Sequence, residues 1–251
     1  MLPAQRKQYL LDRLHRDGKL VASELSAELE ISEDTVRRDL RELAEAGLLL
    51  RVHGGALPAS PAVASYTDRQ QQSPAAKAAI ARAAITLLQD GQVVLFDGGT
   101  TTLQVAQQLP PALHITVITN SPPVAIALAA HPLAEIILVG GKMLKPSLVA
   151  SGAATVEAIQ QVRADLCFMG ICSLHPEVGI SIPDSEEAHV KRAMINSSAE
   201  VAALVSAEKL GTASPYIVAP IEALTHLVTE AAIPSSVLEP YRRRGITILQ
   251  G

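Results

Sequence analysis

The chain has 251 residues, 48% of them hydrophobic, and a formal net charge of −4. That length suits a small domain followed by a medium one, and that apolar share excludes global disorder. Neither the net charge nor residues 1–57, where acids and bases nearly balance, marks a nucleic-acid binder, so such a claim must rest on where charges point. The two cysteines, Cys167 and Cys172, give neither a disulfide framework nor zinc spacing. No apolar run approaches the roughly 18 residues of a membrane span, and Arg6 and Lys7 interrupt the N-terminus. A soluble, cytoplasmic protein with no membrane partner and no cofactor is expected.

In chain order, Leu10, Leu11 and Leu14 share one helical face, and Gly18 is placed to end that helix. Leu20-Val21 reads as a short strand. Ser23 is expected to cap a short helix carrying Leu25 and Leu29, and Ser32 a third helix with Glu33 and Asp34 in its first turn. Gly47 stops that helix, Leu48–Val52 reads as a strand and His53-Gly54-Gly55 as a turn. Helix, short strand, helix, tight turn, helix and two-stranded wing is the order of a winged helix-turn-helix. Residues 58–65 hold two prolines, two serines and no charge, which resists both helix and central strand. The predicted division is a DNA-binding domain over 1–57, a linker over 58–70 and a second domain over 71–251.

On the third helix, Val36, Leu40 and Leu43 make the buried stripe, while Arg38 and Arg41 fall near the opposite side and Arg37 on the flank. The early part of the second helix of such a motif enters the major groove, where guanidinium forks grip guanine edges or phosphates. Ser32, Thr35, Arg37, Arg38, Arg41 and Arg51 are therefore candidate DNA contacts, and Lys19 and His53, at the ends of the wing, candidates for flanking backbone. The competing reading is a solvated face on which the arginines pair with Glu33, Asp34, Glu42 and Glu45.

Arg6, Leu10 and Leu14, then Ser32, Thr35-Val36-Arg37-Arg38-Asp39-Leu40, and Arg51-Val52-His53-Gly54-Gly55-Ala56 resemble the signature of the DeoR family of bacterial sugar-metabolism regulators. The resemblance spans the N-terminal domain and implies a repressor of a carbohydrate operon bound to double-stranded operator DNA.

Past the linker, the strand candidates are Val93–Phe96, Ile115–Thr119, Ile136–Val139, Leu166–Met169, Val201–Val205, Tyr216–Val218, Leu227–Thr229 and Ile246–Leu249. Helical stretches such as Ala75–Gln89, Thr101–Leu109, Pro123–Ala130 and Glu186–Ala199 alternate with them. Alternation of this kind predicts an α/β domain, Rossmann-like, with a mainly parallel sheet covered on both faces and ligands at the carboxyl ends of the strands. Asp97-Gly98-Gly99-Thr100-Thr101-Thr102 follows one strand and opens a helix, an arrangement of amides and hydroxyls that suits an anion. It has no lysine of the nucleotide-binding P-loop kind. The next strands end in Thr119-Asn120-Ser121 and Gly140-Gly141, so three successive strand ends are expected to line one crevice.

From about Arg69 onward the chain also resembles the sensor half of the same family. The resemblance rests on Lys77–Ala81, Asp97–Thr102, Thr119–Ser121, Gly140-Gly141, Asp165–Gly170, Glu187-Ala188 with Lys191–Ile195, and Lys209–Gly211. It implies a fold similar to sugar-phosphate isomerases such as ribose-5-phosphate isomerase, with a phosphorylated sugar as effector. Gly170 then belongs to the site, Glu187 accepts from sugar hydroxyls and Lys209 neutralises phosphate. The family and the usual symmetry of DNA readers imply a homo-oligomer, a dimer or tetramer. Two positions depart from the pattern: Ser206 stands where Asp is frequent, and Thr229-Glu230 where Thr-Asp is frequent.

The alternative is an isomerase-like enzyme with an appended helix-turn-helix domain. Such chemistry needs a carboxylate base and groups that stabilise an enediolate. The stretch Met169-Gly170-Ile171-Cys172-Ser173, where the isomerases carry acids, has none. No catalytic residue and no metal ligand is assigned, and His15, His114, His131, His175, His189 and His226 read as structural or surface residues.

Overall fold

The computed structural model describes residues 1–61 and 65–251. The N-terminal unit runs α1 (Pro3–Asp17), β1 (Leu20–Val21), α2 (Ala22–Leu29), α3 (Glu33–Glu45), β2 (Leu49–Val52) and β3 (Gly55–Pro58). Its strands form an antiparallel sheet in the order β1-β3-β2. The predicted stripe forms the core, with Leu10, Leu14, Leu25, Val36, Leu40 and Leu43 buried together. The side chain of Ser32 caps α3 by accepting from the Thr35 amide, as its sequence position requires. Ser23 does not cap α2. That helix starts at Ala22 behind Val21, with no side-chain cap, because β1 runs directly into it. A Cβ at Gly55 would stand 1.8 Å from the Leu20 carbonyl oxygen, so only glycine lets the wing close on β1. A buried Arg6–Asp39 ion pair, made through two guanidinium nitrogens, fastens α1 to α3.

The expected linker is not bare chain. Pro58 ends β3, and Tyr66–Gln71 form a helix, α4, capped by Ser65. Ala59 bridges Ala213, the Ala213 amide donates to the Pro58 carbonyl at 3.0 Å, and Ser60 Oγ donates to the Cys172 carbonyl at 2.8 Å. Residues 62–64 of that stretch lie outside the described residues.

The larger unit runs α5 (Pro74–Ile85), β4 (Val93–Phe96), α6 (Thr100–Gln107), β5 (Thr116–Thr119), α7 (Pro122–Leu128), β6 (Glu135–Leu138), β7 (Lys142–Leu144) and β8 (Val149–Ser151). It continues with α8 (Ala153–Gln160), β9 (Ala164–Gly170), β10 (Ser173–His175), β11 (Gly179–Ile182), α9 (Ser185–Asn196) and β12 (Ser198–Leu204). The chain closes with β13 (Tyr216–Ala219), β14 (His226–Thr229), α10 (Ser235–Arg242) and β15 (Thr247–Gln250). Seven of these strands form one parallel sheet in the order β15-β14-β12-β9-β4-β5-β6. Alternation along the strands feeds two cores. Leu95, Cys167, Met169 and Ala203 face one side with α8 and α9; Val94, Phe96, Leu166 and Phe168 face the other with α5 and α6. The α/β expectation therefore holds for this unit.

Tyr216–Val218 is a strand, but not of that sheet. It pairs antiparallel with β11 in a separate three-stranded sheet, β10-β11-β13. That sheet and the β7–β8 hairpin escape a sequence reading because most of their strands are too short for an apolar period. The helix expected over Ala75–Gln89 ends earlier, at Ile85.

Strand order matters for function. From β4 the chain moves through β5 to β6 at one edge; from β9 it moves through β12 and β14 to β15 at the other. The order reverses between β4 and β9, the topological switch point at which open α/β sheets hold ligands.

Candidate functional site

The DNA-reading face is built on α3. Arg38 and Arg41 are exposed and form no ion pair among the described residues. Of the acids in the competing reading, Glu42 is engaged by Lys7, and Asp39, next to Arg38 in the chain, is engaged by Arg6. Arg37 alone follows the competing reading, with its guanidinium 2.5 Å from Glu33 and 3.6 Å from Asp34. Exposed pairs of this kind are weak and open readily to a polyanion. Arg37, Arg51 and His53 line one cleft between α3 and the wing. Ser32 and Thr35 sit at the start of α3 with their hydroxyls 2.9 Å apart. The Lys19 ammonium lies 3.3 Å from Glu177 of the larger unit, an exposed pair of the same kind.

A cavity opens at the β4–β9 switch point. Gly98, Gly99, Thr100 and Thr101 supply one wall, and Gly170, Glu187 and Lys209 line the rest. These seven expected residues are brought together by the fold. Others among the expected set are not lining residues. Asp97 lies beneath the turn, 1% exposed, and accepts from Lys191 Nζ and, at 2.9 Å, from the Gly170 amide. Thr102 is buried on α6. Asn120 is buried behind the turn, its Nδ2 donating to the Ala150 carbonyl at 2.8 Å, and Ser121 is buried next to it.

The Gly140-Gly141 turn is displaced from the cavity altogether. The Gly140 carbonyl accepts from Thr155 Oγ1 at 2.8 Å, because β6 is the edge strand and its carboxyl end lies at the periphery. The cavity is therefore formed by the ends of β4, β9 and the loop after β12, not by β4, β5 and β6.

Arg69, Ser147, Ile171, Cys172 and Lys191 also line the cavity, and of these only Lys191 stands in a motif of the family resemblance, with no role assigned to it there. A buried Asp97 at a strand end demands a cation, and Lys191, one turn after Glu187 on α9, supplies it. Lys191 Nζ also donates to the Gly170 carbonyl at 2.9 Å and lies 3.7 Å from Glu187. Burial alone would pull the Lys191 ammonium down, but the carboxylates of Asp97 and Glu187 outweigh it and hold the group charged. Glu187 also accepts from Ser147 Oγ at 2.7 Å. Lys209 has no such partner among the described residues, and burial pushes its ammonium below the usual lysine range.

Gly170 permits the close contact between the two loops, since a Cβ there would stand 2.4 Å from the Gly98 carbonyl oxygen. Around the turn, Asp97 Oδ1, Thr102 Oγ1, Asn120 Oδ1 and Ser121 Oγ are buried without a hydrogen-bond partner among the described residues. Buried polar groups left without a partner call for an explanation such as an ordered water or ion.

The two departures from the family pattern lie beside the cavity and hold its loop. Ser206 Oγ donates to Glu208 at 2.5 Å, and Glu230 accepts from the Ala207 amide at 3.0 Å.

A winged helix-turn-helix joined to an α/β domain with a polar cavity at its switch point defines a ligand-responsive DNA reader. Comparison with known proteins agrees. The DeoR-like helix-turn-helix domain matches residues 6–61 and the DeoR C terminal sensor domain residues 72–231. The transcriptional regulator GlpR of Haloferax volcanii is 35% identical over 254 residues, covering 100% of this chain and 99% of that one. The glycerol-3-phosphate regulon repressor of Escherichia coli K12 is 32% identical over 240 residues, covering 95% of each. The full-length sorbitol operon regulator SorC of Klebsiella pneumoniae aligns over 92% of this chain and 96% of that one, at 12% identity and a TM-score of 0.47. The chain belongs to the DeoR family of helix-turn-helix transcriptional regulators.

Proposed function

We propose that this regulator represses an operon for carbohydrate use and leaves its operator when a small phosphorylated sugar fills the cavity between β4 and β9. The observation that carries the reading is the makeup of that cavity. Gly98, Gly99, Thr100 and Thr101 at the start of α6 line it together with Lys209 and Glu187. The helix start favours an anion, and the lysine adds a full charge to it. The phosphoryl group occupies the Gly98–Thr101 turn, and the sugar hydroxyls donate to Glu187. The E. coli relative, named for a glycerol-3-phosphate regulon, supports a phosphorylated polyol or sugar.

Binding proceeds without turnover. Glu187 is the one carboxylate lining the cavity among the described residues, and it is tied to Lys191 and Ser147. Enolisation needs a free base and a partner acid, and the Met169–Ser173 stretch supplies neither. The protein acts in the cytoplasm as a homo-oligomer, a dimer or tetramer, presenting two reading heads to a repeated site. Effector binding shifts their packing so that they no longer match the site spacing.

The test is a thermal-shift series of the full chain against triose, pentose and hexose phosphates and their unphosphorylated parents. A ligand of the native state raises the melting temperature by mass action. A rise with one phosphorylated compound and none with its parent is the expected result. Equal response to both, or to neither, would sink the phosphate assignment.

A further inference from the structure

Arg69 lies outside both matched domains, in the interval between residues 61 and 72. Yet its side chain lines the cavity together with Gly98, Thr100 and Lys209. We infer that Arg69 is a direct ligand of the effector's phosphoryl group, so that an occupied cavity holds the segment joining the DNA reader to the sensor. This rests on the reading of the cavity as an anion site.

The first argument is charge. Arg69, Lys191 and Lys209 line the cavity, and Glu187 is the lining acid, with Asp97 beneath. Lys191 is already matched by both carboxylates. Neither Arg69 nor Lys209 forms an ion pair among the described residues; the Glu208 carboxylate, which accepts from the Ser206 hydroxyl, acts on Lys209 only from a distance. Two cations on one cavity therefore remain without an ion-pair partner among the described residues. Lys77, directly behind them, feels the same field. Burial and then the charge of Lys209 push its ammonium down to about 8. A bound dianion relieves all three.

The second argument is the donor left over. The Arg69 guanidinium is held on two sides: Nη2 donates to the Pro146 carbonyl at 3.1 Å, and Cζ sits 5.8 Å from the centre of the Tyr66 ring. Its Nε is buried and has no acceptor among the described residues. A guanidinium offers donors in a fixed fork suited to phosphate oxygens, and a buried N–H without an acceptor is costly. An anion in the cavity that Arg69 lines provides that acceptor.

The third argument is anchorage. Lys77 of α5 is buried and donates to the carbonyls of Arg69 and Gln72, which fixes the end of α4 against the sensor. On the far side of the cavity, Lys209 sits in the loop that runs on to Ala213, where the Ala59 bridge is made. A phosphoryl group bound by Arg69 and Lys209 thus ties both ends of the 59–69 connection to one ligand.

The test uses the full chain and three probes: inorganic phosphate, glycerol 3-phosphate and ribose 5-phosphate. Calorimetric titration compares the wild type with Arg69→Gln and Arg69→Lys, and hydrogen exchange follows the amides of residues 65–72 with and without probe. The expected result is that R69Q melts like the wild type without ligand but binds the tightest probe on the order of tenfold to a hundredfold more weakly, the range for a charged hydrogen bond. R69K recovers part of that loss, and the probe slows exchange over 65–72 in the wild type but not in R69Q. Binding of equal strength in R69Q overturns the Arg69 assignment and leaves the cavity reading standing. Failure of the wild type to bind any probe overturns the cavity reading and this inference together.

Discussion

Both domains bury an ion pair, and they use it differently. In the reading head, Arg6 and Asp39 bolt α1 to α3, the helix proposed to carry the DNA contacts. In the sensor, Lys191 and Asp97, 2% and 1% exposed, pair at the cavity floor and join α9 to the end of β4. In each case the cations proposed for recognition are those the pair leaves alone. On the head they are Arg38 and Arg41, exposed on a convex helix, where they suit a long polyanion in solvent. In the sensor they are Arg69 and Lys209, recessed, where they suit one small anion removed from water. The same side-chain chemistry thus serves as scaffold or as recognition, depending on whether a counter-charge arrives from elsewhere in the fold.

The largest expected effect breaks the scaffolds. Asp97→Ala leaves Lys191 buried beside Glu187 alone and should lower the unfolding free energy by about 3–5 kcal/mol. Arg6→Ala strands Asp39 in the same way, and should cost about 3 kcal/mol, the lower end, since Arg6 lies nearer solvent. Urea denaturation measures both. If either variant is as stable as the wild type, its pair is not a scaffold.

The next effect sharpens the recognition half of the comparison. Arg38→Ala should weaken operator binding by about 1–3 kcal/mol if it reads a base, or lower the salt slope by about 1 if it grips a phosphate. Effector affinity should stay unchanged. Gel shifts at several salt concentrations separate these outcomes, and unaltered binding at every salt would remove Arg38 from the interface.

The smallest effect is on the turn. Replacing Thr100 and Thr101 by Val removes two hydroxyls and should weaken effector binding by about 0.5–1.5 kcal/mol for each hydrogen bond lost. It should leave DNA affinity in the absence of effector untouched, because recessed contacts in one domain do not touch the exposed ones in the other. Titration of the double variant decides this.

What the sequence reveals follows the range of the forces involved. The reading head is mostly local: the Val36-Leu40-Leu43 stripe and the Ser32 cap follow from neighbours in the chain. The main sheet is also legible, because its strands are apolar runs bounded by turns. The cavity is legible only where one segment builds it, at Gly98–Thr101. Its floor joins residues 94 positions apart, Asp97 and Lys191, and its rim comes from Arg69 and Lys209, which only the strand order brings together. Gly140-Gly141 looks like Gly98-Gly99 as sequence, yet it lies at the sheet edge and serves Thr155. Ser23 fails as a cap for a related reason: a strand entering a helix directly needs none.

The connection between the two units has a practical consequence. Ala59 is bridged to Ala213, Ser60 donates to the Cys172 carbonyl, and Lys19 meets Glu177. The head is stitched to its sensor along a seam. Exchanging heads between family members to rewire operator choice is thus more than cutting at residue 61. A chimera that takes 1–61 from one parent and keeps 172–177 and 207–213 from another inherits a mismatched seam. It would bind its new operator yet ignore its old signal.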